Sequence, residues 1–116
     1  MAAGRPATMS LVCADQRPSH YLDRGDGTIS GMIEVESHLW APREWELVAV
    51  LLWISDPDAL RSAYEAHLPW PAAMDEVRPA YSLYTLMEWI QEDWSESGDA
   101  KNAAGLERRL QELCAA

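Results

Sequence analysis

LDRGDGTISGMIEVE, Leu22 to Glu36, decides how the first third of the chain is read. Its Asp-Gly-Thr-Ile-Ser core has the look of a calcium loop, which places oxygen ligands at positions 1, 3, 5, 7, 9 and 12 around a glycine at 6. With Gly27 at position 6, Asp26, Thr28 and Ser30 fall at 5, 7 and 9, but position 1 is Leu22, position 3 is Arg24 and position 12 is Ile33. A leucine and an arginine offer no carboxylate, and moving the frame by one to use Asp23 and Glu34 loses the glycine. From Thr28 onward the residues alternate. Ile29, Ile33 and Val35 point one way and Ser30, Glu34 and Glu36 the other, the period of a half-buried strand. Gly25-Asp26-Gly27 supplies the positive φ angles that a tight hairpin requires. The stretch reads as a β-hairpin and not as a metal loop.

Working outward from that hairpin, residues 1–8 read as a flexible lead and residues 9–116 as a single compact domain. Ser10 to Ala14 is a short apolar run suited to a strand, and Tyr21-Leu22 and Ile29 to Val35 flank the turn, so two or three strands are expected. After Ser37 the pattern becomes helical. Pro42 fits a first helical position, with Glu44 and Glu46 near the positive end of the helix dipole. In Pro42–Ile54, Trp45, Val48, Ala49 and Leu52 share one side, and Leu47, Val50, Leu51 and Ile54 cover the other. A helix apolar on both sides is expected to lie between two layers, which makes it structural. Asp56 and Pro57 then read as N-cap and first residue of a second helix with a Leu60, Ala63, Tyr64, His67 and Leu68 stripe. Leu-Pro-Trp-Pro at 68–71 breaks it, 72–77 makes a short turn, and Pro79 opens a long helix to about Trp94. Glu96 to Asp99 interrupts again, with Asp99 as N-cap of a last helix over about 100–114. Strands first and helices afterwards imply an α+β fold, a small antiparallel hairpin or three-stranded sheet against four to five helices.

Chemistry is hard to find in this chain. The histidines are His20, His38 and His67, and no serine sits in an elbow motif; nucleophilic catalysis needs a Cys or Ser beside a base. Cys13 and His20 are separated by six residues across a loop, which is nonspecific, and a Cys13, His20, His38, Cys114 zinc site lacks the short paired spacings such sites use. Gly25-x-Gly27 leads into a strand, where a phosphate-binding glycine loop leads into a helix. The expectation is a non-enzymatic chain without metal or cofactor. Two cysteines in 116 residues are too few for a disulfide framework. The N-terminus lacks a signal-peptide apolar region, and the longest apolar run, Leu47–Ile54, is too short to cross a bilayer, so a cytoplasmic protein is expected.

Charge narrows the field. The formal net charge is −10. Residues 31–60 set Arg43 alone against six acids, and residues 61–95 set Arg61 and Arg78 against six more. Direct nucleic-acid binding requires basic groups to neutralise phosphates, and anionic membranes are disfavoured for the same reason. A basic protein partner is favoured, because opposite fields steer encounter. Six Trp, four Tyr and no Phe also suit surfaces that are half apolar and half wet.

The long helix offers the surface most suited to such a partner. Leu83, Leu86, Met87, Ile90 and Trp94 read as its core stripe, which leaves Trp89 off the stripe among Glu88, Glu92 and Asp93. Trp is the residue most enriched at interface hot spots. Glu34 and Glu36 on the outer strand face, and Trp70 between two prolines, join that candidate partner-binding set. By size and charge alone, the chain is of the kind that occludes the basic surface of a nucleic-acid-handling complex or toxin, as phage anti-CRISPR, anti-restriction and immunity proteins do. The alternative is a homo-oligomeric accessory module, a possible homodimer, whose seam is Ala103, Leu106, Leu110 and Leu113 on the last helix.

Overall fold

The structure is a computed structural model and describes residues 8–93 and 100–115. The lead at 1–7, Trp94 and the break at 96–99 with Asp99 as its cap lie outside the described residues. The fold is α+β. In chain order it has strands β1 (Met9–Cys13), β2 (Tyr21–Asp23), β3 (Ile29–Met32) and β4 (His38–Pro42), then helices α1 (Arg43–Leu51), α2 (Pro57–Glu65), α3 (Met74–Glu92) and α4 (Ala100–Ala115). The chain divides into two compact units, Met1–Met74 and Asp75–Ala116.

The hairpin forms where the glycines demand it. Gly25 and Gly27 hold φ of 85° and 84°. The aspartates that gave the stretch its calcium look serve the turn's own backbone. Asp23 Oδ1 accepts from the Gly25 N–H at 2.7 Å, and Asp26 Oδ1 accepts from the Thr28 N–H at 2.9 Å and from its hydroxyl at 2.5 Å. Those two bonds to Thr28 hold the Asp26 carboxyl below its ordinary value. The strand is shorter than its alternation suggested. β3 ends at Met32, Glu34 turns into the left-handed region at φ 57°, and Val35–Ser37 form a single 3-10 turn. Parity is lost there, so Ile33 and Val35 do not join a covered face, and Ile29 is exposed as well.

Strand β4 replaces the expected start of a helix. His38-Leu-Trp-Ala-Pro42 pairs antiparallel with β1, in the register Leu11 with Trp40 and Val12 with Leu39. Alternation sorts the two faces of this ribbon. Val12 and Ala41 are buried on the side that meets α1, whose Leu47, Val48 and Ala49 are buried too. Pro42 closes β4 and caps α1 from outside, and the helix stops at Leu51, three residues earlier than its apolar run.

Helix α2 begins as expected, with Asp56 accepting from the Ala59 N–H at 3.0 Å and Pro57 in the first turn. Its stripe is not buried. His67 and Leu68 are exposed, while Tyr64 meets the Trp70 ring edge-on at 5.6 Å.

In the second unit, α3 starts at Met74 and carries Pro79 within it, five residues before the expected opening. Pro79 cannot donate to the carbonyl four residues back, a loss the helix tolerates near its first turns. The buried face of α3 is Ser82, Thr85, Leu86 and Trp89, continued by Asp93 just past its end, and Leu83, Tyr84 and Met87 face solvent. At ~100° per residue, that face is turned roughly a quarter-circle from the leucine–methionine stripe expected. Ala103 and Leu106 of α4 are buried, while Leu110 and Leu113 are partly exposed.

Candidate functional site

Two features of the first unit stand out: the outward face of the β1–β4 ribbon and a polar network that backs it. Met9, Leu11 and Trp40 share the outward parity, and Trp40 is 69% exposed directly opposite Leu11, itself 59% exposed. Paired large apolar side chains left in water on a sheet face are uncommon, and they mark contact surfaces when polar groups rim them. The polar groups stand where the ribbon ends. Glu34 and Glu36 approach each other closely enough for one carboxyl to hydrogen-bond the other. That bond raises the Glu34 carboxyl, while Glu36 is lowered, first by its own backbone N–H and then by Glu34. The left-handed turn at Glu34 brings the pair together. No arginine or lysine pairs with either among the described residues; the nearest positive influence is His20.

Behind the same end of the ribbon lies the network. Glu46 Oε1, on α1, accepts from the Cys13 N–H at 3.2 Å and from the Gln16 amide at 2.8 Å. The Gln16 carbonyl in turn accepts the Tyr21 hydroxyl. Asp15 accepts Arg17 Nε at 2.8 Å through its carboxylate. Its backbone carbonyl takes His20 Nδ1 at 3.0 Å, so that nitrogen carries the proton. The Cys13 thiol also points at that carbonyl, 3.8 Å away. Burial pushes this thiol up, with Glu46, Asp15 and Glu36 adding to the shift, and burial likewise raises the Tyr21 phenol. A thiol kept neutral and donating to a carbonyl is a poor nucleophile. The network therefore ties β1, the loop after it and α1 into one piece. Sequence reasoning placed Glu46 only at the helix dipole and missed this bracing role; it gave Trp40 no role at all.

Next to the network, a cavity of about 290 Å³ opens between the hairpin and the end of α1. Pro18, Tyr21, Ile29, Val50, Trp53 and Ile54 form its apolar wall, and Gln16 and Arg17 its polar end. Val50, on the second apolar side of α1, lines this space, as do Trp53 and Ile54 just beyond the helix, while Leu47 on that side is buried.

Several expected site residues lie elsewhere. Trp89 is 2% exposed and Asp93 is buried, so neither can meet a partner; a bulky indole on the Leu86 face fills interior space instead. Glu88 is exposed and Glu92 partly so, on the second unit. Trp70 is half-buried, edge-on to Tyr64 and with the Arg61 guanidinium 5.5 Å from its ring. Glu34 and Glu36 are exposed as expected, though in a turn and not on a strand. The α4 seam is half used up, since Ala103 and Leu106 are already covered. Among the described residues no cluster of three or more His, Cys, Asp or Glu could hold a metal ion, and no helix is long and apolar enough to cross a membrane.

These features define a small α+β chain with an open apolar ribbon face and two exposed acids in the turn that leads into β4. No protein-family model, curated protein or solved structure matches it.

Proposed function

We propose that the chain is a non-enzymatic binding module that docks a basic protein on the outward face of the β1–β4 ribbon and occludes it. The observation that carries the reading is Trp40, exposed across from Leu11 with Met9 beside them and the Glu34–Glu36 pair at the ribbon's end. Trp at the centre supplies desolvated contact area, and carboxylates without cationic partners among the described residues supply attraction to a positive surface. The net charge of −10 extends that attraction beyond contact range. An inhibitor of a nucleic-acid-handling complex or a toxin fits this chemistry, because such partners present basic surfaces.

Affinity capture with the wild-type chain and the Trp40→Ala variant tests the reading. A basic protein retained by the former, lost by the latter, and associating more slowly as salt rises is the expected result. Capture that ignores both Trp40 and salt overturns it. A second reading, self-association, is favoured by one observation: Leu83, Tyr84 and Met87 leave an apolar strip open along α3. Sedimentation over a range of concentrations decides that, and a concentration-independent monomer removes it.

A further inference from the structure

We infer that the cavity between the β2–β3 hairpin and the end of α1 is a binding site for a neutral bicyclic aromatic molecule of the indole or naphthalene class. Three observations converge on that ligand. Size comes first: the cavity measures about 290 Å³, whereas a closed apolar cavity of ~150 Å³ takes up benzene. Charge comes second. Gln16 gives its amide to Glu46 and receives the Tyr21 hydroxyl, and Arg17 Nε sits on the Asp15 carboxylate. An ion entering the cavity would lose hydration without meeting an unpaired countercharge, so a neutral ligand is selected.

The third observation is the unfinished burial of α1. Its sequence is apolar on two sides, and on the second of them Leu47 is buried while Val50 is only partly covered. Val50 and Ile54 on that side border the cavity, with Trp53 alongside and Ile29 overhanging at 61% exposed. A flat ring placed there withdraws all four from water and finds the Trp53 and Tyr21 rings to pack against. The site is separate from the ribbon face and does not depend on its proposed role.

Titrating the ¹⁵N-labelled full chain with indole tests the inference. Saturable amide shifts largest at Tyr21, Ile29, Val50 and Ile54 are expected, and indole-3-acetate should bind at least about tenfold more weakly for want of a countercharge. Val50→Phe projects a larger side chain into the cavity and should weaken indole by a similar factor. Should that variant fail to fold, Ile29→Asp, at the exposed rim, must produce the loss instead. Trp40→Ala should leave indole binding unchanged. No saturable shift up to the solubility of indole, equal binding of the acetate, or affinity that survives a folded Val50→Phe variant would each overturn the assignment.

Discussion

Replacing Glu46 by alanine removes the one oxygen that braces β1 and the following loop to α1. Glu46 Oε1 accepts at 2.8 Å from the Gln16 amide and at 3.2 Å from the Cys13 N–H, and both donors belong to buried residues. Hydrogen bonds to charged groups contribute ~1.5–3 kcal/mol, and leaving a buried donor unmade costs ~1–3 kcal/mol. The shorter bond takes the middle of that range and the longer one its low end. Glu46 itself is partly open to solvent, which lets water replace some of what is lost. The expected destabilisation is therefore about 2–3 kcal/mol. Glu46→Gln keeps an acceptor in place and should lose about 1 kcal/mol, mainly the charge assistance. Urea unfolding reads both. With m of ~1–3 kcal/mol per M, the alanine variant should move the midpoint by roughly 1–2 M at unchanged m. A double-mutant cycle with Gln16→Leu should return coupling of about 1–2 kcal/mol. If Glu46→Ala falls within about 0.5 kcal/mol of wild type, the scale of an ordinary surface change, or if glutamine is as damaging as alanine, the bracing argument fails.

The buried and the exposed tryptophan should separate cleanly. Trp89→Ala should cost about 3–5 kcal/mol by calorimetry or denaturation, the price of emptying a buried site, and Trp40→Ala less than about 0.5 kcal/mol because its ring already lies in water. Gly27→Ala should cost about 1–2 kcal/mol although nothing lies within 4 Å of an added Cβ, because φ is +84° there; Gly31→Ala, whose Cβ would meet only Leu22 Cδ1 at 3.7 Å, is the control and should be nearly silent. Toward an aromatic disulfide reagent at neutral pH, exposed Cys114 should react at once and buried Cys13 only on unfolding. Cys13 and Tyr21 both have folded pKa values raised above 9.0 and 10.0. Their contribution to stability is thus complete below those values and lost as pH rises through the folded ones, so the urea midpoint should fall at alkaline pH, and less so in Tyr21→Phe.

What the sequence made legible was local. The hairpin turn and the start of α2 were readable because Gly25, Gly27, Asp56 and Pro57 act on backbone within three residues of themselves. Strand β4 was not read as one because its partner, β1, lies some 25 residues earlier, and Pro42 looked like a helix opening. The alternation of Leu39 and Ala41 with His38 and Trp40 was the signal available. On α3 the choice of face went to leucine and methionine, yet burial favoured Trp89 and Leu86 beside the small Ser82 and Thr85, which let neighbouring structure come close. The exposed acids Glu34 and Glu36 were legible as acids. Their mutual contact was not, since it depends on one left-handed residue. The cavity was invisible, because its wall comes from a loop, a hairpin and the end of a helix, three segments with no shared period.

The ribbon explains why bracing and exposure occur together. A two-stranded sheet is marginal in water by itself, and this one buries its inner face, Val12 and Ala41, against α1, and Cys13 at the end of β1. Its outer face contributes little to folding, so something else must keep β1 in register. Glu46 does so from within, holding the Cys13 backbone and, through Gln16 and Tyr21, the loop that follows. That division of labour leaves Leu11 and Trp40 exposed on a backbone held in register from the other side. A backbone already held in place loses less entropy when a partner docks on it. On the proposed reading, the inner and outer faces of β1 therefore answer to different constraints. Substitutions at Val12 or Glu46 should register in stability, and those at Leu11 or Trp40 in affinity.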